Sequence, residues 1–255
     1  MIAGVSALAM AAAAGVPQII AHRGGSVEQD ENTLGAIKNS YAKGVRGFEI
    51  DVRLTKDRRI VLLHDDTLER TTNGKGRVET MTAEELAPVR TKKSGEPLPY
   101  LEDIFDFLKD KAGTSLQVEI KCGKYAEADR SAMCEIMTKQ VAERIDPSKV
   151  VFICFETNAL HTIKALNPKQ QTCLVSSKVN PDLIKAAQAV GAEYLSVQLD
   201  SLYRAFVKDA HKAGLKLTAW TVKKPEDAQL AILLGTDFVT TDIPAAQLEQ
   251  KSARP

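Results

Sequence analysis

Short apolar runs alternate with longer segments of helical periodicity along most of the chain. Several of the runs are almost continuously apolar, which is typical of strands that are buried on both faces. The strand candidates are Gln18–Ala21, Gly47–Leu54, Ile60–His64, Leu116–Lys121, Val150–Phe155, Thr172–Ser176, Tyr194–Gln198, Lys216–Val222 and Asp237–Thr241. The chain contains no internal repeat, long linker or low-complexity stretch.

Helical patterns lie between these runs, at Thr33–Lys43, Leu101–Lys111, Ala126–Arg144, Pro181–Val190, Tyr203–Ala213 and Pro225–Leu234. Asn32 is a good N-cap for the first of them. Gly191, Gly214 and Gly235 follow the last three, where helices commonly end. Alternating strands and helices predict a parallel sheet with crossover helices.

Nine strands are one more than a (β/α)₈ barrel needs. Only five residues separate Ile60–His64 from Gly47–Leu54, whereas a parallel crossover takes about a dozen. These two segments therefore form an antiparallel hairpin that turns near Asp57. The other eight strands predict a single TIM barrel over residues 17–255, a usual length for that fold. The hairpin follows the second barrel strand, and Thr67–Tyr100 forms a small capping insertion after it.

Residues 1–16 form a separate apolar segment. Ala12 and Ala14 resemble a signal-peptidase site, but no Lys or Arg precedes Arg23, and a signal peptide has a positive N-terminal region. A truncated signal, a misassigned start and a short helix that caps the barrel floor all stay open; the pattern favours export to the periplasm or the medium. An apolar run of roughly 15 residues is too short to span a bilayer.

Composition excludes several other classes. The chain is 44% hydrophobic and 26% charged, which excludes a disordered protein. Its formal net charge of +1 offers no basic surface for a nucleic-acid backbone. The four cysteines, at positions 122, 134, 154 and 173, are too widely spaced for a zinc site, so they are predicted to be buried thiols, with a disulfide left open. The oligomeric state is not encoded in any of these features.

The first chemical signal is His22-Arg23-Gly24-Gly25, directly after the first strand. Catalytic residues of TIM barrels lie at this end of the strands. An Arg can bind a phosphate through its guanidinium fork while a neighbouring His moves a proton. A structural His in a tight turn is the alternative.

Glu49 and Asp51 are two positions apart and therefore point to the same face of their strand. Phe48, Ile50 and Val52 mark this strand as buried, so both carboxylates face the barrel lumen. Two desolvated carboxylates repel each other and need a cation. The pair predicts metal ligation.

Glu119 and Lys121 share a face with Gln117 on a later barrel strand. Glu119 completes a site of three carboxylates, which suits a hard cation such as Ca²⁺, Mg²⁺ or Mn²⁺ better than Zn²⁺. Lys121 lies one step nearer the rim, where it can contact a phosphate oxygen. The alternative is a Glu119–Lys121 ion pair across the lumen.

The hairpin brings a second histidine to the same place. A turn near Asp57 sets Asp51 opposite residue 63, so His64 returns to the rim beside the carboxylates. Two histidines that face each other across a bound phosphate make an acid/base pair, and Asp65 either orients His64 or caps the next turn. A loop His with a single hydrogen bond is the alternative.

The remaining aromatic candidates are less specific. His161 and His211 fall on helical patterns and are predicted to lie on the surface. Trp220 lies near the end of its strand, where alternation can direct it to the barrel mouth against the organic part of a substrate. A place in the core fits Trp220 equally well.

Together these motifs resemble the glycerophosphodiester phosphodiesterase family. The matching stretches are IIAHRG, ENTLGAI, GVRGFEIDVRLTKDRRIVLLHDDTLERTTNGKG, LQVEIK, LTAWTV and DFVTTDIP, in the family's order from Gln18 onward. Two loop positions depart from the pattern: Asp30 stands where the family usually has Pro, and Arg58 where it often has Gly.

The resemblance implies hydrolysis of a small glycerophosphodiester to sn-glycerol 3-phosphate and an alcohol. It implies the acid/base pair His22 and His64, one divalent cation on Glu49, Asp51 and Glu119, and phosphate contacts from Arg23 and Lys121. In the mechanism that it implies, a glycerol hydroxyl attacks phosphorus to give a cyclic phosphate, which water then opens. Which histidine is the acid and which the base stays open.

Two other functions remain as alternatives. A sphingomyelinase D type of phospholipase uses a similar two-histidine, carboxylate–metal site, and activity on choline lipid vesicles but not on glycerophosphocholine would favour it. A non-catalytic barrel would bind phosphorylated ligands without turnover. The same chemistry could also act on another phosphodiester.

Overall fold

Nine strands of the computed structural model, which describes residues 17–243, form one closed sheet. The strands are β1 Gln18–Ala21, β2 Gly47–Leu54, β3 Ile60–Leu62, β4 Ser115–Ile120, β5 Val150–Cys154, β6 Gln171–Ser176, β7 Tyr194–Gln198, β8 Lys216–Val222 and β9 Phe238–Thr241. Strand β1 pairs in parallel with both β2 and β9, which closes the barrel. The predicted eight-stranded parallel barrel with one extra antiparallel strand is confirmed. The predictions made for residues 1–16 lie outside the described residues.

Helices connect the parallel strands. The described helices are α1 Leu34–Ala42, α2 Ala83–Leu86, α3 Leu101–Leu108, α4 Glu127–Arg144, α5 Thr157–Leu166, α6 Leu183–Ala189, α7 Arg204–Lys212 and α8 Pro225–Leu234. The sequence pattern missed α5 as an element, although it placed His161 on a helical pattern. The described part of the chain contains no helix long and apolar enough to cross a membrane.

The predicted N-cap of α1 is wrong by one residue. The Thr33 side chain accepts a hydrogen bond from the Ala36 N–H at 3.0 Å and so caps the helix. Asn32 instead adopts a left-handed backbone conformation with φ of 57°, and its side chain turns toward the barrel. Both residue types are good caps, so local propensity alone did not separate them.

The outward faces of the strands supply most of the core. Phe48, Ile50 and Val52 of β2 are fully buried in one apolar cluster that includes Ile37 of α1 and Phe105 of α3. A second cluster fills the lumen and comprises Val151, Ile153, Cys173, Val175 and Tyr194, with Trp220 and Phe238 against it. All four cysteines are buried and free, as predicted.

The hairpin register confirms the position predicted for His64. Val52 lies opposite Leu62, and the Leu63 N–H donates to the Asp51 carbonyl at 3.1 Å. His64 follows directly and is therefore returned to the carboxylate pair. At the hairpin turn, Arg58 has a φ of 62°. That conformation favours glycine, so Arg58 occupies a position where glycine would be less strained.

The capping insertion shares a small apolar core with the returning strand of the hairpin. Its buried members are Val61, Leu63, Leu68, Val78, Leu86, Val89 and Leu98. Helix α2 begins with a capping box in which the side chains of Thr82 and Glu85 satisfy each other's backbone N–H groups. The insertion therefore packs as a unit rather than as an extended loop.

Asp30 joins this insertion to the barrel. Its Oδ2 atom accepts hydrogen bonds from the backbone N–H and the hydroxyl of Ser94, each at 2.7 Å, and the side chain is only 5% exposed. A proline at this position would make neither bond, so this departure from the family pattern has a structural role here.

Candidate active site

The carboxyl ends of the strands converge on one cavity of about 240 Å³. The predicted residues among its lining are His22, Arg23, Glu49, His64, Glu119, Lys121 and Trp220. Asp51 lies beside them, directly opposite Glu119 on the paired strands β2 and β4. The fold thus brings all the sequence-predicted site residues together.

Three carboxylates form the centre of the site. Glu49, Asp51 and Glu119 each offer an oxygen, and these oxygens lie within 4.8 Å of one another. Glu49 is 2% exposed and Asp51 is 1% exposed. Lys121 Nζ lies 3.0 Å from Asp51 Oδ1 and also donates to Glu119. The Glu119–Lys121 ion pair considered from the sequence is therefore present, as part of this larger cluster.

The electrostatics of the trio are unbalanced. Burial raises the pKa of Glu49, and the neighbouring charge of Asp51 raises it further. Burial and Asp51 also raise the pKa of Glu119. Burial alone would raise the pKa of Asp51 as well, but Lys121, His64 and Arg23 hold it below its ordinary value. Lys121 and Arg23 together cannot neutralise three carboxylates, so further positive charge would be stabilised here.

One oxygen of this cluster has no partner among the described residues. Glu49 Oε1 is buried and accepts no hydrogen bond, while Glu49 Oε2 accepts the backbone N–H of Arg23 at 2.8 Å. An unpaired buried carboxylate oxygen is costly. Three carboxylate oxygens at this spacing are the hard donor set that Ca²⁺, Mg²⁺ or Mn²⁺ prefers, so the residues present fit a divalent cation.

A carboxylate directly after the last strand holds His22. Its Nδ1 lies 2.7 Å from Asp242 Oδ1, and its Nε2 lies 4.0 Å from Glu49 Oε2. Ser26 donates to the same Asp242 oxygen at 3.1 Å. Burial alone would lower the pKa of His22, but the hydrogen bond to Asp242 and the charge of Glu49 raise it overall. The ring is thereby oriented with Nε2 toward the carboxylates.

His64 is held in a comparable way. Its Nδ1 lies 2.7 Å from Asp65 Oδ1, so the expectation that Asp65 orients this imidazole agrees with the geometry. The side chain of Arg53 donates to the His64 carbonyl at 2.7 and 3.1 Å. Burial lowers the pKa of His64, and Asp51 and Asp65 offset this only in part. The two histidines therefore differ, with His22 favouring the proton and His64 favouring the neutral form.

Arg23 sits in a strained turn. Its φ is 51°, a conformation that non-glycine residues rarely adopt. This turn directs its N–H to Glu49, while its Nε lies 3.6 Å from Asp51 Oδ2 and its Nη1 donates to Glu31 at 2.9 Å. Gly24 continues the left-handed run at φ of 80°, and an added Cβ there would lie 3.0 Å from Ile37.

Asn32 makes two hydrogen bonds to Asp51. Its Nδ2 donates to Asp51 Oδ2 at 2.8 Å, and its Oδ1 accepts the Asp51 N–H at 2.9 Å. Both residues are buried. The reciprocal pair fixes the orientation of the Asp51 carboxylate on β2.

Trp220 lines the cavity, which agrees with the predicted position at the barrel mouth. Its ring makes an edge-on contact with Phe155, with a centroid separation of 6.0 Å. Phe155 is 42% exposed, so the pair forms an apolar wall at the mouth. His161 and His211 lie on the surface, as predicted.

Sequence reasoning did not identify Asp242 or Arg70. Asp242 follows β9 directly, in the position that His22 occupies after β1, and that placement at a strand end was an available signal. Arg70 bonds to Glu31 and Asp65 through its guanidinium group. It lies in the insertion, whose folding the local sequence does not specify.

The chain is similar to known proteins in both sequence and fold. The model of the glycerophosphoryl diester phosphodiesterase family matches residues 22–246. A glycerophosphodiester phosphodiesterase of Caldanaerobacter subterraneus is 32% identical over 232 residues, which cover 89% of this chain and 94% of that relative.

Solved structures share the fold. A phosphodiesterase of Oleispira antarctica, solved with its product sn-glycerol 3-phosphate, has a TM-score of 0.86 at 25% identity and covers 95% of this chain and 99% of its own. A glycerophosphodiester phosphodiesterase of Parabacteroides distasonis has a TM-score of 0.81 at 24% identity, covering 92% of this chain and 98% of its own.

Proposed function

The chain belongs to the glycerophosphoryl diester phosphodiesterase family and is a phosphoric diester hydrolase, and we propose that it hydrolyses small glycerophosphodiesters in a reaction that depends on a divalent cation. The products are sn-glycerol 3-phosphate and an alcohol. The observation that carries this proposal is the trio Glu49, Asp51 and Glu119, whose oxygens lie within 4.8 Å of one another between two oriented histidines.

Glu49, Asp51 and Glu119 would hold the cation. The unpaired Oε1 of Glu49 supports this assignment, because ligation would satisfy it. A divalent ion bound there supplies charge that stabilises the phosphoryl oxygens as charge develops on them. Asn32 keeps the Asp51 carboxylate in place through two hydrogen bonds.

Arg23 and Lys121 would bind the phosphate of the substrate. Both line the cavity, and both already lie against the carboxylates of the trio. Their charges balance a phosphodiester that would otherwise be repelled by the acidic cluster. The apolar wall of Trp220 and Phe155 would face the organic part of the substrate.

His22 and His64 would move the protons. One takes the proton of a glycerol hydroxyl as its oxygen bonds to phosphorus, and the other gives a proton to the alcohol oxygen as the P–O bond to that alcohol breaks. The resulting cyclic glycerol phosphate is opened by water, and the histidines return to their starting states. The Nδ1 contacts with Asp242 and Asp65 leave Nε2 of each ring free for this work.

The test is a substrate panel. Protein supplied with a divalent cation is incubated with glycerophosphocholine, glycerophosphoethanolamine and glycerophosphoinositol, and released glycerol 3-phosphate is followed with a coupled dehydrogenase. Vesicles of a choline lipid are run in parallel. Release from at least one glycerophosphodiester supports the proposal; cleavage of the vesicle lipid alone would contradict it and favour a phospholipase.

A further inference from the structure

Arg70 of the capping insertion lies between two carboxylates that hold active-site residues. Its Nε donates to Asp65 Oδ2 at 2.5 Å and its Nη2 to Asp65 Oδ1 at 3.1 Å. Its Nη2 and Nη1 donate to the two oxygens of Glu31 at 2.7 and 2.9 Å. The guanidinium fork is thus used in a two-pronged contact on each side.

The same carboxylate oxygens also contact the site. Glu31 Oε1 accepts from both Arg70 and Arg23, and Asp65 Oδ1 contacts both Arg70 and His64. The five side chains form one continuous chain from His64 through Asp65, Arg70 and Glu31 to Arg23. Its two ends are the residues to which the proposed function gives a proton transfer and a phosphate contact.

We propose that Arg70 is a positioning residue, through which the capping insertion sets the orientation of His64 and of Arg23 together. Arg70, Glu31 and Asp65 are absent from the cavity lining in the described part of the chain, so Arg70 acts through its two carboxylate partners and not on the substrate. The inference rests on the proposed function, since it takes the roles of His64 and Arg23 from it.

Arg77 offers a matched control on the same insertion. It is as exposed as Arg70, 44% against 46%, and it also bridges two carboxylates, Asp66 and Glu79. Neither of these contacts His22, His64 or Arg23 in any described hydrogen bond or ion pair. Exposed ion pairs of this kind contribute little to stability. Removing either arginine should therefore change the melting temperature to a similar small extent.

The experiment measures kcat and KM for the full chain with a divalent cation and the best substrate of the panel. Arg70→Gln is expected to lower kcat/KM by about 10- to 100-fold, through both a lower kcat and a higher KM, because misplaced catalytic and binding groups cost about this much. Arg77→Gln should stay within about twofold of wild type, as distant surface changes do. Arg70→Lys should recover little, because lysine keeps the charge but loses the fork.

Two further variants separate positioning from folding. Asp65→Asn should lower mainly kcat, and Glu31→Gln should raise mainly KM, since they serve different ends of the chain. In the Arg70→Gln background each should have a smaller effect than in wild type, because the interaction is already lost. If Arg70→Gln does not fold, the same comparison is made in Arg70→Lys.

Equal kinetics for Arg70→Gln and Arg77→Gln, or fully additive effects with Asp65→Asn and Glu31→Gln, would overturn this inference. Wild-type protein that releases no glycerol 3-phosphate would instead contradict the proposed function. The two failures are therefore distinguishable.

Discussion

The Nδ1 atom of His22 lies 2.7 Å from Oδ1 of Asp242, although the two residues are 220 positions apart in the chain. The contact forms because β1 and β9 pair in parallel and both end at the same rim. It fixes which ring nitrogen of His22 faces the carboxylate trio. Asp242 therefore orients the His22 ring in the same way that Asp65 orients the His64 ring.

Asp242→Asn should lower kcat by about 10- to 100-fold with a smaller change in KM, because an amide can stabilise the wrong tautomer of the imidazole and cannot balance its charge. Steady-state kinetics on glycerophosphocholine provides the measurement. The control is Asp237→Asn, which alters the contact with the exposed His211 and should leave kcat near wild type. Equal kcat in wild type and Asp242→Asn would show that Asp242 does not position His22 for catalysis.

The four histidines divide into two pairs. His22→Ala and His64→Ala should each lower kcat by about 10²- to 10⁴-fold, the usual contribution of a general acid or base. His161→Ala and His211→Ala remove exposed rings and should stay within about twofold of wild type. An unchanged rate in either of the first two variants would exclude that histidine from the chemistry.

Asn32 should matter for stability through both its side chain and its backbone. Asn32→Ala should lower the free energy of unfolding by about 2–4 kcal/mol, because it removes two buried hydrogen bonds to Asp51 and leaves a non-glycine residue at φ of 57°. Asn32→Gly loses the same bonds without the backbone strain and should be about 1 kcal/mol less damaging. Urea titrations of the chelated protein measure the free energy of unfolding of each variant. Equal stability of wild type, Asn32→Ala and Asn32→Gly would contradict the role of the hydrogen bonds between Asn32 and Asp51.

Asp30 should give the stability a dependence on pH. Burial alone would raise the pKa of Asp30, but the hydrogen bonds from Ser94 hold it below its ordinary value. A carboxylate whose native pKa is below its unfolded pKa contributes stability above the unfolded value, about 3.9, and loses it as the pH falls through the native value. Asp30→Asn should therefore be less stable than wild type at pH 7, with a difference that shrinks below about pH 4. Urea unfolding at several pH values tests this, and a difference that stays constant would contradict it.

The sequence predicted the parts of the site that depend on strand alternation. Glu49, Asp51 and Glu119 face the lumen because residues two apart on a strand share a face, and turn arithmetic brought His64 to the same rim. Asp242, Glu31 and Arg70 escaped prediction because their partners depend on how loops and the insertion fold in three dimensions. Asn32 was wrongly predicted to be the N-cap of α1 for a related reason. Its capping propensity is a local property of the sequence, whereas its contact with Asp51 depends on the tertiary structure.

We propose that one divalent cation on Glu49, Asp51 and Glu119 is required for this barrel to hydrolyse glycerophosphodiesters. The direct measurement strips the protein with a chelator and then follows glycerol 3-phosphate release while Ca²⁺, Mg²⁺ or Mn²⁺ is added, with metal content determined in parallel for wild type and Glu119→Gln. We expect no release from the stripped protein, recovery that saturates at one ion per chain, and much weaker metal binding in the variant. Full activity of the stripped protein would contradict it.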